Sequence, residues 1–362
     1  MKLTGSQIFW IVATAEIVMA VWLRISPAVE IAKQDAWLSM LLACMLGAVI
    51  TYLVVKVGLR HPGKTLAQFS QELLGAWLGK IVLLPYFAAW FILSGDVLRS
   101  FVDFIHLVLL DKTPVWVLMI MLLGAAVYLT ATSAITGIGR FCEIVGPVTI
   151  LTLLLSFLLN IWNLKRSHLL PVFGDANLSE IAKASLAPAS FLAESFMLLV
   201  LLSFASSPKH IMKRSLTSVL FTGIVVAMST VMVLLVFGPL VAKELRFPYF
   251  MLVRSINIMN FIQNLDILVI FIWIFGVFAK ISLYLFITSY EMAQWLRIKS
   301  WKRMIWFSAP AIFLIAMFIP GEAAILMLQK LWETIVIPLC AVAIPLCLWI
   351  VSALRGKAVK TE

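Results

Sequence analysis

From Leu265 to Tyr290 the chain forms an uncharged run broken only by Asp266 at its start and Lys280 near its middle. Thirteen uncharged residues (267–279) precede Lys280 and ten (281–290) follow it. A run of this length reads as a transmembrane helix, because the hydrocarbon core takes roughly 20 helical residues to cross. Lys280 then lies near the bilayer midplane, where a charge costs several kcal/mol unless it faces protein or water. Glu16 and Glu194 stand at comparable depth in two other apolar runs and are the candidates to balance it.

Composition excludes a soluble protein. Of 362 residues, 63% are hydrophobic and only 12% charged, and no soluble core could hide that much apolar surface. The net charge of +11 would suggest nucleic-acid binding in a soluble chain. In a membrane protein it reads instead as basic cytoplasmic loops, so no nucleic-acid partner is expected. Cys44, Cys142, Cys340 and Cys347 form no CxxC and have no histidine at ligand spacing; they read as buried, inert thiols. His61, His106, His168 and His210 are scattered near loops, and nucleophile elbow and P-loop motifs are missing. The chain therefore reads as non-enzymatic, with no metal site and no cofactor, and with no cleavable signal peptide.

Ten apolar spans follow in order: 6–23, 36–55, 81–98, 114–132, 144–164, 185–205, 215–237, 265–290, 304–320 and 334–354. After the second, Leu66, Phe69, Leu73 and Trp77 recur at helical spacing, as in an amphipathic surface helix. A second surface helix is expected from Phe250 onward, with Arg254, Asn257 and Asn260. With the N-terminus inside, 16 basic residues fall on the cytoplasmic side and 11 outside, which places both termini in the cytoplasm.

The fold expected is all-α and integral to the membrane: one polytopic domain of ten transmembrane helices in a 5+5 inverted repeat. The half-repeats would cover about 6–164 and 185–354. Transporters of that plan place their sites at broken helices near the midplane, and here the first and sixth spans would be the broken pair. Each carries one acid about nine residues after its start, and Pro188 near Glu194 is a helix-disrupting residue.

Several stretches resemble the spore germination B-subunit (spore permease) family, within the amino acid–polyamine–cation transporter superfamily. They include Asp35-Ala36-Trp37-Leu38, Pro62-Gly63-Lys64-Thr65-Leu66, Leu74-Gly75-Ala76-Trp77-Leu78-Gly79-Lys80 and Thr113-Pro114. Further along come Gly139-Arg140-Phe141, Leu169-Leu170-Pro171-Val172, Glu194, Phe247-Pro248, Leu265-Asp266 and Ala279-Lys280-Ile281-Ser282. The resemblance implies the superfamily's ten-helix fold and a membrane subunit of a nutrient-germinant receptor. Such a subunit works with A and C subunits in the inner membrane of a spore. One departure stands out: Ala13-Thr14-Ala15-Glu16 has no glycine where family members often break the first helix.

The candidate ligand-binding set is Thr14, Glu16, Tyr86, Trp90, Ser190, Glu194 and Lys280. For Lys280 a structural salt bridge and a fixed cation at a ligand site are both open, and in related sodium-coupled folds an amine there would stand in for an ion. Tyr86 and Trp90 share a helix face and read either as packing or as cavity lining. Asp96, Arg99 and Asp103 read as a solvated ion-pair cluster near the outer surface. The ligand expected is a small nutrient, an amino acid, with anionic lipids against the basic clusters. The competing reading is a proton-coupled amino acid permease.

Overall fold

The computed structural model describes residues 1–174, 176–257 and 265–355, with backbone alone at 267, 268, 271, 322 and 323. Every regular element among them is helical. In chain order these are α1 (Gly5–Leu23), α2 (Ile25–Ala32), α3 (Ala36–Leu59), α4 (Leu66–Leu74), α5 (Ala76–Ile81), α6 (Leu84–Val108) and α7 (Val115–Leu159). There follow α8 (Leu178–Ala184), α9 (Leu186–Leu192), a 3-10 stretch (Ala193–Met197), α10 (Leu198–Leu201), α11 (Ile211–Ala242), α12 (Pro248–Arg254) and α13 (Asp266–Leu296). The chain closes with α14 (Lys302–Phe318), α15 (Glu322–Leu331), a π-helical stretch (Trp332–Ala343) and α16 (Ile344–Leu354).

Eight helical stretches are long and apolar enough to cross a membrane, against the ten spans expected. Two local features account for the difference. The fourth and fifth spans run together in the 45-residue α7, interrupted only at Ala134 (φ 51°, ψ −155°), so the expected loop at 133–143 is helical apart from that residue. α14 has only 17 residues, short of the roughly 20 that a perpendicular crossing takes. The last span also begins earlier than expected, at α15 rather than at Thr334.

Depth in the bundle separates the elements. In the apolar 18-residue window of each span, 89% of residues are buried in the stretch 178–204 and 78% in both α1 and α13, but only 33% in α7 and in the last span. The first three form the core, and α7 and the last span turn most of their surface outward. A hydrophobic outer face suits a bilayer, since lipid takes the place of a protein neighbour. Small residues let inner helices approach closely. A Cβ on Gly223 of α11 would overlap the Cys44 sulfur of α3, and one on Gly47 of α3 would stand 2.7 Å from Leu192 Cβ. Three of the four thiols are buried as expected; Cys347 is exposed on the outer face of α16, and all four are free.

Several of the quoted stretches prove to be joints. Asp35, fully buried, accepts the Phe173 N–H with both carboxylate oxygens (3.0 and 3.2 Å), and Gln34 donates to the Pro171 carbonyl (3.1 Å). The start of α3 is thereby tied to the loop before α8. Glu291, also buried, accepts the Ala67 N–H at 2.8 Å, so a carboxylate from α13 satisfies an otherwise free donor at the start of α4. Leu66, Phe69 and Leu73 bury the apolar face of α4, but Trp77 is 84% exposed. Gly75 takes φ 88°, a left-handed conformation that ends α4 and sends Trp77 to the other side. The helix expected from Phe250 is α12, and it is mostly buried through Tyr249, Phe250, Leu252 and Val253. Asn260 lies outside the described residues.

The N-terminal end of the bundle is closed by backbone pairing: the Leu3 N–H donates to the Phe204 carbonyl (2.7 Å), and Ser206 N–H to Leu3 (2.8 Å). The loops at 60–65, 205–211 and 297–303 lie at this end as well, through Leu202 against Gly58 and Trp301 against Phe286 and Tyr290.

Candidate functional site

A layer of charge crosses the buried middle. Lys280 on α13 sets its ammonium 2.8 Å from Glu194 Oε2, with both side chains fully buried. The contact lies off the preferred hydrogen-bond direction, so it is an ion pair by distance rather than an ideal hydrogen bond. Tyr284, four residues on and so on the same face of α13, donates to that same oxygen at 3.0 Å. Glu194 Oε1 has no partner. Glu194 sits where the sixth span changes from α-helix to 3-10 helix, and Pro188 lies one turn and a half earlier. The tighter winding rotates side chains relative to an α-helix and aims this acid at α13.

Glu16 contrasts with it. α1 is a continuous helix from Gly5 to Leu23, so the break expected in the first span does not occur: no Gly or Pro is present to disrupt it. Glu16 is fully buried, and neither of its carboxylate oxygens has a hydrogen-bond partner. It lies close enough to Glu194 and Lys280 for their charges to act on it.

Two members of this layer were not expected from sequence. Asp96 is 7% exposed and faces inward, with Oδ1 unpartnered; its expected cluster reduces to the Arg99–Asp103 ion pair at 2.9 Å. The i, i+3 spacing of Asp96 and Arg99 placed them on neighbouring positions but could not say which position faced the core. Arg24, at the turn after α1, is 2% exposed; its guanidinium lies 4.1 Å from the Phe191 ring centre and reaches Gln329 (3.0 Å) and Glu333 (3.5 Å). The Lys280 ammonium lies 5.2 Å from the same ring. Cation–aromatic contacts of this kind gain strength where water is excluded. Glu333 stands one residue before the expected start of the tenth span, and Phe191 one helical turn before Glu194; those spacings were the available signals.

The remaining expected site residues are buried nearby but serve other contacts. Thr14 faces α7, its hydroxyl against Cys142 and Gly146. Tyr86 donates to the Cys340 carbonyl at 2.6 Å, inside the π-helical stretch that contains Pro338. In π-helical winding a carbonyl pairs with the N–H five residues on; for Cys340 that residue is Pro345, which has no N–H, and this leaves the carbonyl for Tyr86. Trp90 packs on Tyr86 at 5.6 Å with its indole N–H unpartnered. The Ser190 hydroxyl donates to Ala187, and its carbonyl accepts from the Trp332 indole (3.3 Å). Glu16, Glu194 and Lys280 come together as a set; the other four surround them.

Aromatic layers close both sides of the charges. On the side away from the N-terminus, Trp22 stacks on Trp273 at 3.8 Å, with Phe101 and Phe104 edge-on to Trp273. Six or seven helical residues separate these tryptophans from Glu16 and Lys280, about 10 Å along the axes. Toward the N-terminus, Phe204, Phe286, Tyr290 and Trp301 form the second cluster.

The protein enclosing this charged layer is a helical integral membrane protein whose fold has a solved counterpart. It superimposes on Mhp1, a nucleobase-cation-symport-1 family transporter in a closed conformation with bromovinylhydantoin bound. The TM-score is 0.59 at 14% identity, over 91% of this chain and 75% of that one. The chain belongs to the spore germination protein (spore permease) family, whose model matches residues 2–324. Relatives in Bacillus subtilis (strain 168) include spore germination protein YndE, 25% identical over 333 residues (90% of this chain, 89% of the relative). Spore germination protein KB is 23% identical over 278 residues (74% and 72%).

Proposed function

We propose that this protein is the membrane subunit of a nutrient germinant receptor in the spore inner membrane. It binds a small nutrient, an amino acid, between α1, α6, the sixth span and α13, and passes a change of shape to A and C partner subunits. The observation that carries this reading is the fully buried Lys280–Glu194 pair beside the unpartnered Glu16. Buried charge in a membrane helix is functional by default, and the family and transporter fold supply its setting.

In the same reading the chain makes ten crossings in two five-helix halves, about 6–164 and 185–354, with both termini cytoplasmic. Packing of α3 on α11 and of α6 on α13 supports it, since these would be the second and third helices of halves related by a two-fold axis. Thr14, Tyr86, Trp90 and Ser190 are the supporting wall around Glu16, Glu194 and Lys280.

Deleting the protein and scoring spore germination against a nutrient panel tests the assignment. Loss of response to one nutrient class is expected, and unchanged germination on every nutrient refutes it. The transporter fold also favours a second reading, a proton-coupled amino acid permease. Uptake of labelled amino acids into proteoliposomes separates the two, since the receptor reading expects none above empty vesicles.

A further inference from the structure

Beyond the Trp22–Trp273 layer, on the side away from the N-terminus, lies a cavity of about 310 Å³. Ser26, Glu30, Ser100, Lys243, Glu244 and Gln329 are among its walls. Gln329 is also the nearest acceptor to the buried Arg24, so one side chain separates the cavity from a buried guanidinium. We infer that this cavity is an outer binding site for a small zwitterion, with Arg24 receiving its carboxylate and Asp96 and Glu333 facing its amine.

Three observations carry the inference. The hydrogen bonds of Arg24, to Gln329 and Glu333, both use Nη1, while Nε is buried without a partner. A guanidinium offers five donors in a planar fork suited to a carboxylate, and an anion on that fork binds more strongly than the neutral amide oxygen of Gln329. Next, Ser100 lines the cavity and is 7% exposed, and its hydroxyl meets the Asp96 carboxylate one helical turn behind it without an aligned hydrogen bond, so that Asp96 Oδ1 keeps acceptor capacity for a ligand. Unpaired buried polar atoms carry a desolvation penalty that a ligand can relieve. Finally, two buried cationic side chains, Arg24 and Lys280, stand among three buried acids, Glu16, Asp96 and Glu194, with Glu333 at 22% exposure on their edge. A zwitterion brings an amine for these acids together with the carboxylate for Arg24, and adds no net charge to the layer. Because Arg24 and Lys280 touch the same Phe191 ring, the outer site and the central pair share one side chain.

The choice of amino acids as ligands rests on the proposed function; the carboxylate chemistry of Arg24 does not. The test is calorimetric titration of the full chain in lipid nanodiscs with the twenty L-amino acids, then with the α-amide of each one that binds, and with acetate and propionate. At least one amino acid is expected to bind, its amide about 10- to 100-fold more weakly, as for a lost hydrogen-bonded charge, with acetate and propionate weaker than the parent amino acid. Arg24→Gln is expected to weaken the acid by the same factor and erase the acid–amide difference. Arg24→Lys keeps the buried charge without the fork and is expected to lose about tenfold, which covers the case of a Gln variant that does not fold. Leu326→Trp, which narrows the cavity without touching a buried charge, is expected to weaken binding as well. The site is refuted if the acid–amide difference survives in both Arg24 variants, if Leu326→Trp binds as wild type does, or if nothing binds at millimolar concentration. Arg24-dependent binding with normal germination of deletion spores would overturn the receptor assignment and leave the site standing.

Discussion

Glu16 and Glu194 each stand about nine residues into their apolar runs, the first and the sixth, yet their surroundings differ. Glu194 lies in a 3-10 stretch and is held by Lys280 and Tyr284. Glu16 lies in an unbroken α-helix and is held by nothing. A buried carboxylate with an amine at 2.8 Å contributes to stability whatever else it does, because removing either member strands the other. A buried carboxylate without partners contributes no such bond, so under the proposed function it can meet a ligand without breaking one. The difference teaches that depth and spacing alone do not assign a role; the winding of the helix beneath each acid does.

The comparison can be broken experimentally, most forcefully at Lys280. Lys280→Met leaves Glu194 uncompensated and should cost about 3–5 kcal/mol, read as a lower midpoint in detergent unfolding, together with loss of germination response. Adding Glu194→Gln should recover most of that stability. A single variant as stable as wild type would show that the pair is not scaffold. Tyr284→Phe removes one hydrogen bond to a charged group and should cost about 1.5–3 kcal/mol. Next comes Tyr86→Phe, which frees the Cys340 carbonyl in the π-helical stretch, for about 1 kcal/mol. Equal midpoints for Tyr86→Phe and wild type would mean that this carbonyl finds another donor.

Glu16→Gln should have the smallest effect on stability, within about 0.5 kcal/mol or slightly stabilising, since no native bond is lost. Its germination response should nonetheless disappear. If the response persists in this variant at normal membrane levels, Glu16 leaves the mechanism and the contrast with Glu194 becomes one of packing alone.

Much of this was legible in the chain. Apolar run length and the near absence of charge dictated a helical membrane protein, because only a helix or a closed barrel satisfies its backbone in lipid. Lys280 and the two acids stood out because charge at that depth is costly wherever it appears. Arg24 follows the first span and Asp96 stands near the end of the third, and residues at the ends of spans carry no depth signal of their own. What the tertiary structure alone decided was partnership. It turned Glu194 toward Lys280 and left Glu16 without a bond. It also set two cations against one ring of Phe191. Those outcomes depend on the facing of side chains from helices far apart in sequence, and periodicity along one helix fixes only relative positions on that helix.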